Sequence, residues 1–385
     1  MNYKKHYPSV WDLEAGFEKA VPKFAFDYVV GGIGDEHNLQ DNLDALKSVK
    51  LRPRYLSDKA NHPDLSTSLF GETYSAPFGV APVGLTGLTW PKAPEHMALA
   101  AKKHNLPFAL SGFSTSSVED IQKAAGDCHW YQQYATIDNE IDLDMLRRAK
   151  AAGAKALIIT VDIPTNTNRR KNVQNGLSVP PEFSLQTLAQ ILARPRWAMA
   201  TLRHGVPEFR NIKPYMPKGL KLSELGSYLN DLIEGHVSIE RVKWFRNNWD
   251  GKLMVKGLLD PEEARLCKAV GVDGIVVSNH GGRQLDAAET AIDVLPLMRD
   301  AVGEDMTLLA DGGVRTGLDI ARMLAKGADF VLLGRAFMFG MGVVGNSGAD
   351  HVATILKEEF RATMGQIGCS AVEELSEFLV PNLAR

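Results

Sequence analysis

Residues 275–286 read IVVSNHGGRQLD, and within them an apolar run gives way at once to a base and a cation. Ile275, Val276 and Val277 have the continuous apolar character of a strand buried on both faces. Ser278, Asn279, His280, Gly281, Gly282 and Arg283 follow directly. A histidine accepts a proton near neutral pH, and an arginine fork grips a carboxylate through two parallel hydrogen bonds. Both residues also have structural readings, a hydrogen-bonded core imidazole and a rim salt bridge. Their place at a strand end beside a glycine pair favours chemistry. Asp162 closes the run ALIITVD and needs a partner, for which His280 is suited. Lys256 closes KLMVKG, where an unpaired ammonium would be costly, so it requires an anion. In LADGGVRTG and LLGRAF, glycines precede helical patterns and stand beside Arg315 and Arg335. Such turns make a phosphate cradle from backbone N–H groups and a helix N-terminus, although any strand-to-helix connection also calls for glycine. The stretch VVGGIGDEHN at 29–38 lacks G-x-G-x-x-G and follows a helical segment, so it is not a dinucleotide fingerprint.

Eight strand-like runs supply these residues: 77–82, 107–112, 128–134, 156–162, 252–257, 274–279, 307–313 and 330–335. Helical patterns separate most of them, among them PEHMALAAKKHN, SVEDIQKAAG, NEIDLDMLRRAKAAG, DPEEARLCKAVG, ETAIDVLPLMRDAVG and TGLDIARMLAKGA. This alternation predicts an α/β fold, a closed (β/α)₈ TIM barrel spanning 76–385, with an N-terminal helical cap segment at 1–75. Phe24 to Leu46 also reads helical and would cap the barrel or lie across one end. Roughly 90 residues separate Asp162 from Lys252, far more than an ordinary loop. They predict a long insertion after strand four, at about 165–235, before a helix over SIERVKWFRNNW. Barrel enzymes build their sites from the C-terminal strand ends. Here those ends carry Pro82, Val83 and Gly84; Ser111, Gly112 and Phe113; Gln132 and Tyr134; Thr160 and Asp162; Lys256. The last three bring Ser278 with His280 and Arg283, then Asp311, Gly312 and Gly313, then Gly334 and Arg335. Strand alternation turns one of each pair, Gln132 with Tyr134 or Tyr131 with Gln133, into the barrel.

The chain has 385 residues, 45% hydrophobic and 23% charged, as in a soluble globular protein. A net charge of −3 gives no footprint for nucleic acid. Three dispersed cysteines, Cys128, Cys267 and Cys369, argue against disulfides and against a zinc site, and no metal is expected. The first residues lack the apolar core of a secretion signal and no run is long enough to span a bilayer, so a cytoplasmic location is expected. One region departs from the average. Between Arg169 and Lys221 stand ten Lys/Arg against two acidic residues, Glu182 and Glu208. Within it, LAQILARPRWAMATLRHG mixes leucine, methionine and tryptophan with arginine, a composition suited to an anionic membrane surface or to a solvated lid.

The combination SNHGGRQLD, LADGGVRTGLDI and LLGRAF resembles the FMN-dependent α-hydroxy acid dehydrogenase/oxidase family, which includes glycolate oxidase, lactate oxidase, flavocytochrome b2 and mandelate dehydrogenase. The resemblance runs from FDYVVGGIGDE to MGQIGCSAVEEL, and the family fold is the same barrel. It implies FMN as cofactor and His280 as catalytic base, oriented by Asp162. Arg283 would hold the substrate carboxylate with Tyr28 and Arg169, and Tyr134 would bond the substrate near its hydroxyl. Lys256 would stand beside the flavin N1 and O2. Pro82, Val83, Gly84, Ser111, Gln132, Thr160 and Ser278 would line the isoalloxazine site. Asp311, Gly312, Gly313, Arg315, Gly334 and Arg335 would hold the ribityl chain and phosphate. The resemblance further implies a homotetramer and a long basic loop like that of the membrane-bound members, hence a peripheral place on the inner face of the cell membrane. Gly84 stands where oxidases of the family often carry alanine, which points to a dehydrogenase that passes electrons to a quinone or another non-oxygen acceptor. The alternatives are a soluble oxidase that makes hydrogen peroxide and a non-catalytic barrel that binds a phosphate ligand. Phe113, where glycolate oxidases place tryptophan, changes the pocket wall.

Overall fold

A computed structural model describes residues 3–56, 62–127, 129–165, 167, 169–174, 184–220 and 225–381. Cys128, Glu182 and Lys221, used above, lie outside the described residues. Eight parallel strands close into a barrel: β1 (Phe78–Val80), β2 (Phe108–Ser111), β3 (His129–Tyr134), β4 (Ala156–Thr160), β5 (Lys252–Leu258), β6 (Gly274–Val277), β7 (Thr307–Ala310) and β8 (Phe330–Leu333). Neighbours pair in chain order, and β8 returns to β1 through Val331 opposite Phe78. Most strands end two or three residues before the expected limit, where the chain turns out to form the rim.

Strand parity decides what points inward. Trp130, Ile158, Met254, Val276, Leu309 and Phe330 fill the barrel interior. Two residues further along five of these staves stand Gln132, Thr160, Lys256, Ser278 and Asp311. The apolar plug is thus floored by bulky side chains and roofed by one polar layer, made by the same alternation. Tyr131 belongs to the outer core, and Gln133 donates to Asp142 Oδ1 (2.7 Å), so both are structural.

The first part of the chain differs from expectation in two ways. The segment Phe24 to Leu46 is helical but interrupted, as Lys23–Val30 and His37–Ser48. The break has a packing cause: Ile33 N donates to Gly282 O (3.1 Å), and a Cβ on Gly32 would lie 2.8 Å from that same oxygen. Only an interrupted, glycine-containing segment can approach the turn after β6 so closely. Secondly, a hairpin of Thr67–Leu69 and Glu72–Tyr74 closes the far mouth of the barrel. Its Phe70 packs edge-on against Trp130 (6.4 Å between ring centroids) and its Tyr74 against Phe330 (5.8 Å).

The helix after β4 is Ile239–Asn248, close to the expected place. The insertion before it contains the helices Leu185–Leu192, Pro195–His204 and Leu225–Leu232. After β8 come Arg335–Val344 and Gly348–Ile367, which periodicity did not reveal. Ala336 to Val344 are all buried, so the first of these helices has no polar face to give it a period. Among the described residues no helix is long and apolar enough to cross a membrane.

Candidate active site

The C-terminal rim encloses a cavity of about 350 Å³. His280 faces into it from a left-handed backbone conformation (φ 57°), followed by Gly281 and Gly282 at φ 65° and 73°. His280 Nδ1 lies 2.8 Å from Asp162 Oδ1 at the end of β4. The carboxylate carries no proton, so Nδ1 donates and Nε2 is left as an unprotonated nitrogen. Burial would raise Asp162, but His280 and Lys256 outweigh it and hold the carboxyl below its usual value. Burial lowers His280, only partly opposed by Asp162. The pair rests at neutral pH as a carboxylate and a neutral base.

Gly257 creates the space for that pair. It sits within β5 at φ 108°, beside an irregularity in the β5–β6 register. A Cβ there would meet Asp162 Cβ and Cγ at 2.5 Å. Gly257→Ala is therefore expected to cost more than about 1 kcal/mol of stability and to displace Asp162 from His280. Thermal melting and the NMR titration of His280 would show the two effects together.

Lys256 is buried, with Nζ 2.9 Å from Ser278 Oγ and 3.3 Å from Asp311 Oδ2. Burial disfavours its charge, yet Asp311 and Asp162 more than compensate, so the ammonium persists. Asp311 is thus the anion that Lys256 required. Arg283 and Arg169 line the same cavity. Arg283 donates through Nη1 to Tyr28 O (2.9 Å) and Gly31 O (2.7 Å) and lies over the Tyr28 ring (5.2 Å). Arg169 donates through Nη2 to Gln284 Oε1 (3.2 Å), and Gln284 donates to Asp162 O (2.8 Å). Burial, then Arg169 and Arg335, press Arg283 well below the usual guanidinium range. A buried guanidinium with cations for neighbours suits an anion in the cavity.

The remaining expected residues fall into three groups. Tyr28, Pro82, Val83, Gly84 and Tyr134 line the cavity, although the Tyr28 hydroxyl donates to Gly84 O (3.0 Å). Burial, then Asp162, keep the Tyr134 hydroxyl protonated by raising its pKa, so it remains a donor. Gly312 and Gly313 (φ 104° and 78°), Gly334, Arg315 and Arg335 line the far end. Arg335 is tied to Val29 O (2.8 Å), Gly281 O (2.8 Å) and Gly31 O (3.1 Å). Arg315 pairs with Glu14 (2.8 Å) from the helix Val10–Ala20, a residue that sequence reasoning missed. Ser111, Gln132, Thr160 and Ser278 are buried beneath the cavity wall. Also missed were Phe209, Leu229 and Ile233 of the insertion, which with Phe113 form an apolar wall. Phe113 lies 5.0 Å from the Tyr134 ring and 5.5 Å from that of Phe209. Asn279 was quoted but not assigned; its side chain exchanges hydrogen bonds with Asn42 and accepts from Gly282 N (3.2 Å), locking the turn that carries His280.

Comparison with known proteins identifies the family. Residues 17–381 match the model of the FMN-dependent dehydrogenases. The chain belongs to that family. Among its relatives is the L-lactate dehydrogenase of Ectopseudomonas mendocina (strain ymp), 39% identical over 370 residues, 96% of this chain and 97% of that protein. The L-lactate dehydrogenase of Xanthomonas axonopodis pv. citri (strain 306) is 38% identical over 375 residues, 97% of this chain and 96% of the other. Among solved structures, the monotopic membrane protein (S)-mandelate dehydrogenase superposes with a TM-score of 0.91 at 34% identity, covering 97% of this chain and 98% of that one. A mandelate oxidase superposes with a TM-score of 0.80 at 31% identity over 97% and 98% of the two chains.

As an FMN-dependent dehydrogenase, the protein must offer its cofactor suitable partners, and the polar layer fits. Ser111 Oγ donates to Gln132 Oε1 (2.9 Å), and Gln132 Nε2 is buried with no partner among the described residues. Thr160 Oγ1 is likewise buried and without a partner among the described residues. Buried polar atoms are rarely left unsatisfied, and these two lie on adjacent staves of the inward-facing layer, where a ring bearing nitrogen and oxygen would engage both. At the other end, a Cβ on Gly313 would lie 2.9 Å from Asn42 O, so the turn beside Arg315 can be made only by glycine.

Proposed function

We propose that the protein oxidises an (S)-2-hydroxy acid to the 2-oxo acid as an FMN-dependent α-hydroxy acid dehydrogenase. The observation that carries this reading is the His280–Asp162 pair (2.8 Å) set against the Arg283 and Arg169 guanidinium groups in one cavity. Arg283, with Arg169, pins the substrate carboxylate and relieves the uncompensated positive charge. Tyr134, kept protonated, donates to a substrate oxygen. Nε2 of His280 takes one of the two carbinol hydrogens as a proton as the ketone forms, and Asp162 stabilises the imidazolium; the other hydrogen would leave with the electron pair to the bound flavin. Gln132, Thr160 and Lys256 would hold the flavin ring, while Arg315, the Gly312–Gly313 turn and Gly334 would hold the phosphate end. When bound, FMN supplies the two-electron sink that no side chain provides. The names of the relatives, L-lactate and (S)-mandelate dehydrogenase, support the substrate class.

A quinone in the membrane is the acceptor in this reading. The helices Leu185–Leu192 and Pro195–His204 expose Leu185 (87%), Leu188, Leu192, Met199 and Leu202 (85%) on a segment rich in arginine. Such a surface suits an anionic bilayer, and the monotopic membrane nature of (S)-mandelate dehydrogenase agrees with it. Leu188→Asp with Leu202→Asp is expected to abolish co-sedimentation with phosphatidylglycerol vesicles, each buried leucine contributing roughly 1.5–3 kcal/mol, without changing flavin reduction. Gly84 supports the dehydrogenase reading over the oxidase. Its absent Cβ leaves open a place 3.4 Å from Phe113 Cβ and 3.6 Å from the Tyr28 hydroxyl, which alanine would fill without clash. The test is reoxidation of the reduced enzyme: rapid oxidation by a soluble quinone analogue and slow oxidation by air are expected, and rapid peroxide formation in air would replace this reading by the oxidase. The likeness to mandelate oxidase makes that comparison a necessary one.

A further inference from the structure

Ser278 precedes the base by two residues, is fully buried, and touches both charged centres of the site. Its Oγ donates to Asp311 Oδ1 (2.6 Å) and accepts from Lys256 Nζ (2.9 Å) and from the backbone N–H of His280 (3.0 Å). A hydroxyl has one donor and two acceptor positions, so all three are filled and its orientation is fixed. Two consequences follow from that geometry. The bond from His280 N closes the tight turn that keeps a non-glycine residue at φ 57°, a conformation that L-residues adopt only when held. The bond to Asp311 draws one carboxylate oxygen away from the lysine, leaving the other 3.3 Å from Nζ, longer than the 2.7–2.9 Å of a close charge-assisted pair.

We propose that Ser278 is a positioning residue that sets two things at once: the placement of the His280 base, and the share of Lys256 positive charge left facing the flavin. The hydroxyl competes with Lys256 for Asp311. Without it, the carboxylate closes on the ammonium and neutralises more of its charge. This rests on the reading of Lys256 as the cation beside the flavin ring, although the redox measurement below does not depend on turnover.

The test uses the full-length holoenzyme and its Ser278→Ala and Ser278→Thr variants. FMN affinity is followed by flavin fluorescence, the flavin midpoint potential by equilibration with redox dyes, and flavin reduction by anaerobic stopped flow. Ser278→Ala is expected to bind FMN, to show a more negative midpoint potential, and to lose about tenfold in reduction rate, the order expected for one lost hydrogen bond. Ser278→Thr, which keeps the hydroxyl, returns the potential to that of the parent. Should the alanine variant not fold, Asp311→Asn carries the test: removing the competing carboxylate shifts the potential in the positive direction. A Ser278→Ala enzyme with the parent potential, or an Asp311→Asn enzyme whose potential falls or does not move, overturns the proposal. Dye equilibration needs no substrate, so a flavin that no 2-hydroxy acid bleaches would count against the functional reading and leave this result standing.

Discussion

Replacing His280 by glutamine is expected to slow flavin reduction by on the order of 10⁴-fold, the upper end of what a positioned general base contributes. The FMN complement of the enzyme should not change. Glutamine can still donate to Asp162 but offers no basic nitrogen where His280 offers Nε2. The parent enzyme should lose activity on the acid side only. Burial places the His280 pKa below the usual imidazole value of about 6.5, so the base remains competent at neutral pH and is lost as pH falls through that lowered value. Stability follows the same sign. A histidine buried in its neutral form takes up protons more readily when unfolded, so its contribution weakens as pH drops below the unfolded pKa. Asp162, held below the ordinary carboxyl range, keeps its charge across this window. In His280→Gln the acid limb of the rate profile should disappear, leaving a low, flat residual rate. A variant that keeps both rate and limb would show that another group takes the proton.

The second large effect is expected at Arg283. Arg283→Lys preserves one positive charge but cannot reach Tyr28 O and Gly31 O while also presenting a planar fork to a carboxylate. Truncating one partner of a buried hydrogen-bonded charge pair costs about 2–5 kcal/mol. A fall in kcat/KM of roughly 10³ is therefore expected, most of it as a rise in KM, because the carboxylate is gripped in both ground and transition states. Arg169→Lys should cost less, since Arg169 is tied through Gln284 and only completes the grip. Steady-state kinetics of both variants, with FMN content measured in parallel, separates substrate binding from cofactor loss. If Arg169→Lys proved the more damaging, the two arginines would exchange roles.

Much of this was legible in the sequence, for identifiable reasons. Barrel staves are short continuous apolar runs, and the residues that interrupt them (Asp162, Lys256, His280, Asp311) lack a structural use at a strand end. The pairing of Asp162 with His280 and the need of Lys256 for an anion both followed from the cost of burying charge. What escaped depended on contacts between distant parts of the chain. The hairpin that plugs the barrel is too short to show a period, and the fully apolar helix Arg335–Val344 has none. The break between Val30 and His37 is imposed by the turn at Gly281–Gly282, some 250 residues away. Glu14 meets Arg315, and Phe209 and Leu229 reach the cavity, only through packing of the cap and the insertion. Ser278 was placed correctly at the rim, but its part in joining Lys256, Asp311 and His280 is a matter of side-chain geometry.

A 2-hydroxy acid bound between Arg283 and His280 is expected to deliver its electrons to the flavin. Anaerobic stopped-flow absorbance of the holoenzyme, mixed in turn with (S)-lactate, (S)-mandelate and glycolate, tests it most directly. Rapid bleaching of the oxidised flavin by at least one (S)-acid, with its (R)-enantiomer inert, is the expected result, and the relative rates would rank the side chains that the wall of Phe113, Phe209 and Leu229 accepts. A flavin that stays oxidised with every 2-hydroxy acid would contradict the account and leave a barrel that binds FMN for another purpose.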